Sequence, residues 1–320
     1  MRDLFELGPL RAQALHPNEV LSVRQIETTS LARVEVQQRD GVALQYVRRL
    51  QSVRLLAEPP FDIRSAFDAW YLSQPELSEI GDPRTRTFGQ VDLTYWEIDD
   101  WVSDLMGEQI AASREFAELR APVPIDADLS ARLVPRRDLS LAGTTCLATG
   151  RYERSVGEIV VFRYTLDPSG RLSAGSREAL RHEALHWVQW EVAPQMQRVD
   201  WWLREGWAAY ISGEEPRHDL LEAHACGSET DLPTIREFAS GIASGRSGAA
   251  RSLLLYAAAS SAVEYLYDEL GAAETYWDMV RSMSSGTSPA DTYMEALGVP
   301  LERLHAAWIE RVKARYCGGS

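Results

Sequence analysis

The sequence has no apolar run long enough to span a bilayer, and it is short of basic residues. A membrane-spanning helix needs about 20 predominantly apolar residues, and no such stretch occurs. The chain has 33 lysines and arginines against 47 aspartates and glutamates, which gives a net charge of −14. Nucleic-acid binding depends on basic side chains that neutralise phosphates. We therefore expect no nucleic-acid partner and no membrane span, whereas basic peptides would be attracted.

Cysteine is scarce, and several common enzyme signatures are missing. Cys146, Cys226 and Cys317 lie too far apart for a local metal cluster. Their odd number argues against a disulfide framework, although Cys146 and Cys226 could form one bond. There is no Walker loop, G-x-G-x-x-G segment, nucleophile elbow or internal repeat. The composition, 45% apolar and 25% charged over 320 residues, is that of an ordinary globular protein of roughly two domains.

The start of the chain leaves the location open. Residues 1–15 lack the continuous apolar region of a secretory signal. We expect a cytoplasmic protein if Met1 is the native start, and a cell-envelope or secreted protein if a signal has been removed.

The most informative segment is 182–186, which reads H-E-A-L-H and matches the metal-hydrolase pattern H-E-x-x-H. Helical residues four apart lie on one face, so His182 and His186 could both bind one tetrahedral Zn²⁺. Glu183 would then lie beside the open coordination position, where a general base accepts a proton from the attacking water. The alternative is a pair of surface histidines on an ordinary helix.

A catalytic zinc of this kind needs a third protein ligand from another element. Residues 200–213 predict a helix, with Asp200 as its N-cap and Gly213 at its end. Glu205 falls on the second turn of this helix, and Gly206 beside it would let a neighbouring backbone come close. We predict Glu205 as the third ligand; taken alone, it would be an ordinary solvated carboxylate.

Together these segments resemble the gluzincin metallopeptidases, in particular the peptidase MA-like domains related to aminopeptidase N and leukotriene A4 hydrolase. In that family, H-E-x-x-H is followed after eighteen residues by a glutamate ligand within W-L-x-E-G-x-A-x-Y, and residues 202–210 read W-L-R-E-G-W-A-A-Y at this spacing. The resemblance implies one Zn²⁺ held by His182, His186 and Glu205, with Glu183 as the general base.

A further similarity to the family lies in residues 255–271, which look like the helix that opens with its catalytic tyrosine. The resemblance implies that Tyr256 stabilises the oxyanion of the tetrahedral intermediate, and a neutral phenol can donate such a hydrogen bond. The alternative is a tyrosine of the helical core. Tyr210, Tyr265 and Tyr267 are expected to be packing residues.

Two departures from the family bear on the substrate. The chain has no G-x-M-E-N segment, whose glutamate holds the free α-amino group of the substrate in the family's aminopeptidases. Arg204 stands where many members have asparagine and changes the charge near the metal. We therefore expect an endopeptidase rather than an aminopeptidase, acting on a peptide or protein. Two alternatives stay open: a catalytically inactive zincin-fold binding protein, and a zinc hydrolase of a small molecule.

The order of elements predicts an α+β fold, in which a small mixed sheet packs on the H-E-x-x-H helix and a mostly helical lobe follows. The resemblance to the gluzincins implies that this fold is zincin-like. We expect an N-terminal region of unknown role over residues 1–87 and a gluzincin-like catalytic domain over residues 88–320. The local patterns predict the following elements: a hairpin around 34–44, with a helix over 44–56 as the alternative; strands near 91–95, 125–133, 144–149 and 158–164; and helices over 99–119, 176–193 and 301–316. Ser176 is the predicted N-cap of the second of these helices.

Overall fold

The computed structural model describes most of the chain after residue 77. It describes residues 78–135, 150–162, 164–167, 169–214, 217–226, 232–241 and 251–317 in full, and the backbone alone of 20–25, 31–38, 41–49, 70–72 and 248–250. Within these ranges, no helix combines the length and the apolar character that crossing a membrane requires.

The chain divides into two compact units, residues 1–111 with 128–177 and residues 112–127 with 178–320. Among the described residues, every strand belongs to the first unit, and the regular structure of the second unit is helical. The mixed α+β character is therefore confirmed. The predicted domain boundary between residues 87 and 88 stays a prediction.

The first unit contains two five-stranded sheets. The described strands are β1 (Val20–Gln25), β2 (Leu31–Gln38), β3 (Gly41–Arg49), β4 (Trp70–Leu72), β5 (Pro83–Phe88), β6 (Val91–Trp96), β7 (Leu129–Leu133), β8 (Gly150–Glu153), β9 (Glu158–Val161) and β10 (Thr165–Leu166).

One sheet is antiparallel and contains the predicted hairpin. Its order is β1–β2–β3–β10, and β4 also pairs with β3. Gln38 of β2 lies opposite Gly41 of β3, which confirms the hairpin. The alternative helix over residues 44–56 is wrong as far as residue 49, because these residues complete the ladder with β2; residues 50–56 lie outside the described part.

The other sheet is mixed, in the order β5–β6–β7–β9–β8. Its two inner pairs, β6–β7 and β7–β9, are parallel, and its two outer pairs are antiparallel. Parallel neighbours need a crossover connection, and helix α1 (Asp100–Glu118) lies in the one between β6 and β7. Val102, Met106 and Ile110 form its buried stripe.

Most strand and helix predictions for this sheet are confirmed. The strand near 91–95 and the helix over 99–119 match β6 and α1 closely. The strands predicted over 125–133 and 158–164 are shorter in the structure, as β7 and β9. The strand predicted over 144–149 lies outside the described residues.

Helices account for the described elements of the second unit, and the first of them begins in the first unit. They are α2 (Ala174–Val192), α3 (Trp201–Ser212), α4 (His218–Ala225), α5 (Ile235–Ser240), α6 (Gly248–Glu264), α7 (Tyr276–Ser285), α8 (Pro289–Leu297) and α9 (Leu301–Cys317). The predicted final helix is confirmed as α9, with Leu304, Trp308 and Val312 buried along one face.

Helix α3 lies tightly against α6. A Cβ atom on Gly206 would come within 2.3 Å of the carbonyl oxygen of Ala259, so only glycine fits at this crossing. This confirms the prediction that Gly206 admits a neighbouring backbone. On the same helix, the ring of Trp207 stacks on Tyr276 with centroids 4.8 Å apart. The segment around Glu205 is therefore held rigidly in the core.

The disulfide in the structure differs from the one that the sequence left open. Cys226 forms a disulfide with Cys317 and not with Cys146. The two cysteines are 91 residues apart in sequence, but they lie at the ends of α4 and α9, and their Cα atoms are 5.4 Å apart. The tertiary packing of these two helices brings the cysteines together, whereas sequence spacing contains no such information.

The two predicted helix caps have different outcomes: the one at Ser176 is wrong, and the one at Asp200 is confirmed in position only. Helix α2 begins at Ala174, so Ser176 is inside its first turn and is not its N-cap. The Ser176 hydroxyl instead accepts a hydrogen bond from the backbone N–H of Thr165 at 2.8 Å. Asp200 is the N-cap residue of α3, but its side chain makes no capping bond and accepts one from the Tyr293 hydroxyl at 2.7 Å. In both cases, a hydrogen bond with a residue elsewhere in the chain takes the place of the predicted capping bond.

Candidate metal centre

The two histidines of the H-E-x-x-H segment converge in the interior of the second unit. They lie in α2, four residues apart and therefore on one face of the helix. Both are buried, with 7% of His182 and 8% of His186 exposed. Their Nε2 atoms are 3.0 Å apart. The interpretation as two surface histidines is not supported by this burial.

Glu205 brings a carboxylate from α3 to the same point. Its Oε2 atom lies 3.1 Å from Nε2 of His186 and 3.7 Å from Nε2 of His182. One ligand atom from each of the three residues can be chosen so that all lie within 4.8 Å of one another. The structure therefore brings the three predicted ligand residues together.

The spacing of the three atoms fits a tetrahedral zinc site. Zinc binds imidazole nitrogen and carboxylate oxygen at about 2.0–2.2 Å, so two ligand atoms in a tetrahedral site are roughly 3.4 Å apart. The observed separations of 3.0, 3.1 and 3.7 Å bracket this value. Two imidazoles and one carboxylate are also the ligand types of known catalytic zinc sites.

The charges around the three residues favour a cation. Burial alone would lower the pKa of His182, but the carboxylates of Glu214 and Glu205 raise it well above its usual value. Burial would likewise raise the pKa of Glu205, but His186 and His182 hold it well below its usual range. Both shifts mean that the site stabilises positive charge next to a buried carboxylate.

The formal charges suggest a divalent ion. Three carboxylates, those of Glu183, Glu205 and Glu214, interact electrostatically with His182. Arg204 supplies one positive charge, with its Nε atom 3.4 Å from Oε1 of Glu205. When a metal ion binds, both imidazoles must be neutral. These groups then carry two net negative charges, which one divalent cation would balance.

Glu183 is within electrostatic range of both the metal ligands and Tyr256. It follows His182 in α2, about 100° further around the helix. Its negative charge contributes to the raised pKa of His182 and to that of Tyr256. Glu183 therefore lies close enough to His182 and Tyr256 for its charge to act on both.

Tyr256 lies in the middle of α6 rather than at the start of a helix, which corrects that part of the prediction. The residue is 43% exposed, and its ring packs edge-on against Trp201 with centroids 5.1 Å apart. Burial, and next the charges of Glu205 and Glu183, raise its pKa. Its phenol therefore stays protonated at neutral pH and can donate a hydrogen bond near the three ligands.

The three tyrosines that were predicted to be packing residues have contacts away from the ligands. Tyr210 donates a hydrogen bond to Asp268 at 2.8 Å. The Tyr267 hydroxyl accepts one from Nε1 of Trp207, also at 2.8 Å. Arg311 lies over the ring of Tyr265. These contacts are typical of packing residues.

Two residues near the ligands were missed from the sequence. Oε1 of Glu214 lies 2.9 Å from Nδ1 of His182, although this nitrogen makes no hydrogen bond of good geometry. Gln189 is fully buried, and its Oε1 lies 2.8 Å from Nδ1 of His186. For Glu214, the signal was its position directly after Gly213, whose left-handed conformation ends α3 and turns the chain. For Gln189, it was the three-residue spacing from His186 on one helix face.

Comparison with known proteins does not extend this result, since no family model and no curated protein matches the chain.

Proposed function

We propose that this protein is a zinc-dependent hydrolase of peptide bonds, of the gluzincin type. The observation that carries the proposal is the convergence of His182, His186 and Glu205 at tetrahedral spacing in a buried site with excess negative charge. The H-E-x-x-H and W-L-x-E-G-x-A-x-Y segments support the same assignment from the sequence. The zincin-like fold is part of this proposal, with residues 88–320 as its catalytic domain and residues 1–87 as a region of unknown role.

His182, His186 and Glu205 would hold the ion. When bound, zinc would act as a Lewis acid that polarises the substrate carbonyl and acidifies water. The rigid packing of α3 against α6 at Gly206 would hold Glu205 in place, because the two backbones are in direct contact there. A ligand set on packed helices keeps its geometry better than one on loops.

The protein's own acid–base chemistry would rest on Glu183. As a carboxylate next to the ligands, it would accept a proton from the attacking water and later pass this proton to the leaving amine. Tyr256 would donate its phenolic hydrogen to the oxyanion that forms at the scissile carbonyl. Its raised pKa keeps this hydrogen in place at neutral pH.

The substrate class is proposed to be peptides or proteins cleaved internally. The chain lacks the G-x-M-E-N glutamate that would bind a free α-amino group. Its net charge of −14 favours basic over acidic substrates. The Cys226–Cys317 disulfide supports the exported alternative for location, because disulfides persist mainly in oxidising compartments.

The deciding experiment combines metal analysis with peptide cleavage. Wild-type protein should contain one zinc ion and cleave members of an unbiased peptide library. Glu183→Gln should keep the zinc but lose about 10²- to 10⁴-fold in turnover, the usual contribution of a general base. His186→Ala should lose the metal. Glu191→Gln is the matched control, since Glu191 is an exposed carboxylate on the same helix, and it should leave both properties unchanged.

Each result of this experiment has a defined meaning. Unchanged turnover in Glu183→Gln would rule out the assigned base. Bound zinc without cleavage of any peptide would favour the inactive binding protein, or the hydrolase of a small molecule. Wild-type protein that binds no zinc would refute the proposal as a whole.

A further inference from the structure

Gln189 connects the two helices that carry the proposed ligands. It lies on α2, three residues after His186, and its side chain is completely buried. Its Oε1 atom lies 2.8 Å from Nδ1 of His186. Its Nε2 atom donates to the carbonyl oxygen of Arg204 at 2.9 Å and to the hydroxyl of Tyr276 at 2.8 Å. Arg204 immediately precedes Glu205 on α3.

The contact with Arg204 decides which way the amide of Gln189 faces. A backbone carbonyl oxygen can only accept hydrogen bonds, so the group that faces it must be the NH₂ group. The oxygen of the amide must then face His186. Because this oxygen can only accept, the hydrogen between the two side chains belongs to Nδ1 of His186. In a neutral imidazole, Nε2 is then left with its lone pair.

This lone pair points towards the other two proposed ligand atoms. Nε2 of His186 faces Oε2 of Glu205 at 3.1 Å and Nε2 of His182 at 3.0 Å. On the other side of the His182 ring, the carboxylate of Glu214 lies 2.9 Å from Nδ1. A metal ion between the three atoms would bind each of them through a lone pair.

We infer that Gln189 is a positioning residue of the metal centre, a role that rests on the proposed function. It holds His186 in the Nδ1–H form, so that Nε2 is the atom offered to the metal, and it ties the imidazole to the backbone beside Glu205. Hydrogen-bond partners behind metal-bound histidines commonly set ring orientation and affinity in this way. A single amide thus orients one ligand and anchors the helix of another.

A neutral amide suits this position better than a carboxylate would. Glu214, the acidic partner near His182, has 38% of its side chain exposed, whereas Gln189 is wholly buried. A fourth negative charge at residue 189 would exceed the charge that a divalent ion balances, and it would repel the carbonyl oxygen of Arg204. Glutamine accepts from His186 and donates to Arg204 with no charge cost.

The test measures zinc affinity by competition with a chelator, together with the unfolding of the metal-free proteins. Gln189→Met has a similar volume but no acceptor, and it should bind zinc about 10- to 100-fold more weakly than wild type. Gln189→Glu keeps an acceptor oxygen for His186 whether or not it is protonated, so it should bind zinc at least about tenfold more tightly than Gln189→Met.

Tyr276→Phe is the matched control, because it removes one bond on the donor side of Gln189 and leaves the acceptor contact and the stacking on Trp207 in place. We expect it to destabilise the metal-free protein without a comparable change in zinc affinity. A purely structural role for Gln189 would make affinity follow stability across all three variants.

A measurement on unmodified protein covers the case that the variants fold poorly. Nitrogen NMR of ¹⁵N-histidine-labelled, zinc-loaded wild type, with His186→Asn used only to assign the signal, should show hydrogen on Nδ1 of His186. Hydrogen on Nε2, or wild-type zinc affinity in a folded Gln189→Met, would overturn the inference alone. Wild-type protein that binds no zinc would refute the proposed function and this inference with it.

Discussion

Substitution of Gly206 by alanine should change the stability of the protein in two opposite ways. In an exposed helix, alanine is more favourable than glycine by about 1 kcal/mol. At this position, however, the new Cβ atom would lie 2.3 Å from the carbonyl oxygen of Ala259, 2.6 Å from its carbon and 2.9 Å from Cγ2 of Val263. Helix propensity alone therefore predicts a more stable variant, whereas the packing of α3 on α6 predicts a less stable one.

The size of the stability loss follows from the distance that the two helices must move apart. Non-bonded heavy atoms are most favourable at about 3.5 Å or more, so α3 would have to shift by roughly 1 Å from α6. Overpacking a core costs about 1–3 kcal/mol, and the upper end applies because the obstacle is backbone. After the gain in propensity, we expect Gly206→Ala to lose about 2 kcal/mol of unfolding free energy, or about 4–8 °C in Tm.

The assay is denaturant unfolding of the metal-free protein together with zinc titration. Zinc affinity should fall as well, because Glu205 precedes Gly206 and moves with the helix. Gly298→Ala is the control: Gly298 has φ of 69° and no atom within 4 Å of an added Cβ. It should lose about 1–2 kcal/mol from backbone strain alone and keep its zinc affinity. A Gly206→Ala variant as stable as wild type would refute the packing argument.

Three further predictions concern other parts of the second unit. Removal of the disulfide with Cys317→Ser, which leaves Cys226 free, should lower the free energy of unfolding by up to about 4.6 kcal/mol, the loop-closure value for a separation of 91 residues; a loss below about 1 kcal/mol in denaturant unfolding would contradict this. Tyr256→Phe should reduce kcat/KM about 10²- to 10³-fold with unchanged zinc affinity, and wild-type kinetics would exclude the oxyanion role. Burial raises the pKa of Tyr276 and of Tyr293 well above 10, so the unfolded state loses these protons first and stability should fall as the pH rises above 10; unfolding free energies that stay constant across pH 10 would argue against it.

The proposed ligand set is the part of this protein that the sequence predicts best. The spacing of His182 and His186 needs only a helix to bring both onto one face, and helical periodicity is a short-range property. Gly206 was likewise interpretable, because a glycine within an otherwise packed helix suggests a close neighbour. The structure confirms the close approach and places Glu205 within 3.1 Å of His186.

The disulfide and the hydrogen-bond partners of the proposed ligands could not be predicted from local sequence patterns. Three cysteines allow three pairs, and nothing local favours Cys226 with Cys317 across 91 residues. The role of Gln189 depends on the carbonyl of Arg204 and the hydroxyl of Tyr276, which come from two other helices. Ser176 is a smaller example. Its hydroxyl was expected to cap α2, but it accepts a hydrogen bond from the backbone N–H of Thr165.

Short-range order along the chain was enough to indicate the helices, the hairpin at Gly41 and the pair of imidazoles on one helix face, because each depends on backbone geometry over a few residues. The packing of α3 on α2 and α6 decided the remaining properties of the site. These are the carboxylate that approaches the histidines, the ring nitrogen of His186 that carries the hydrogen, and the charge around the three residues. These properties depend on distances between groups far apart in the chain and on their removal from water. Only the folded protein determines both.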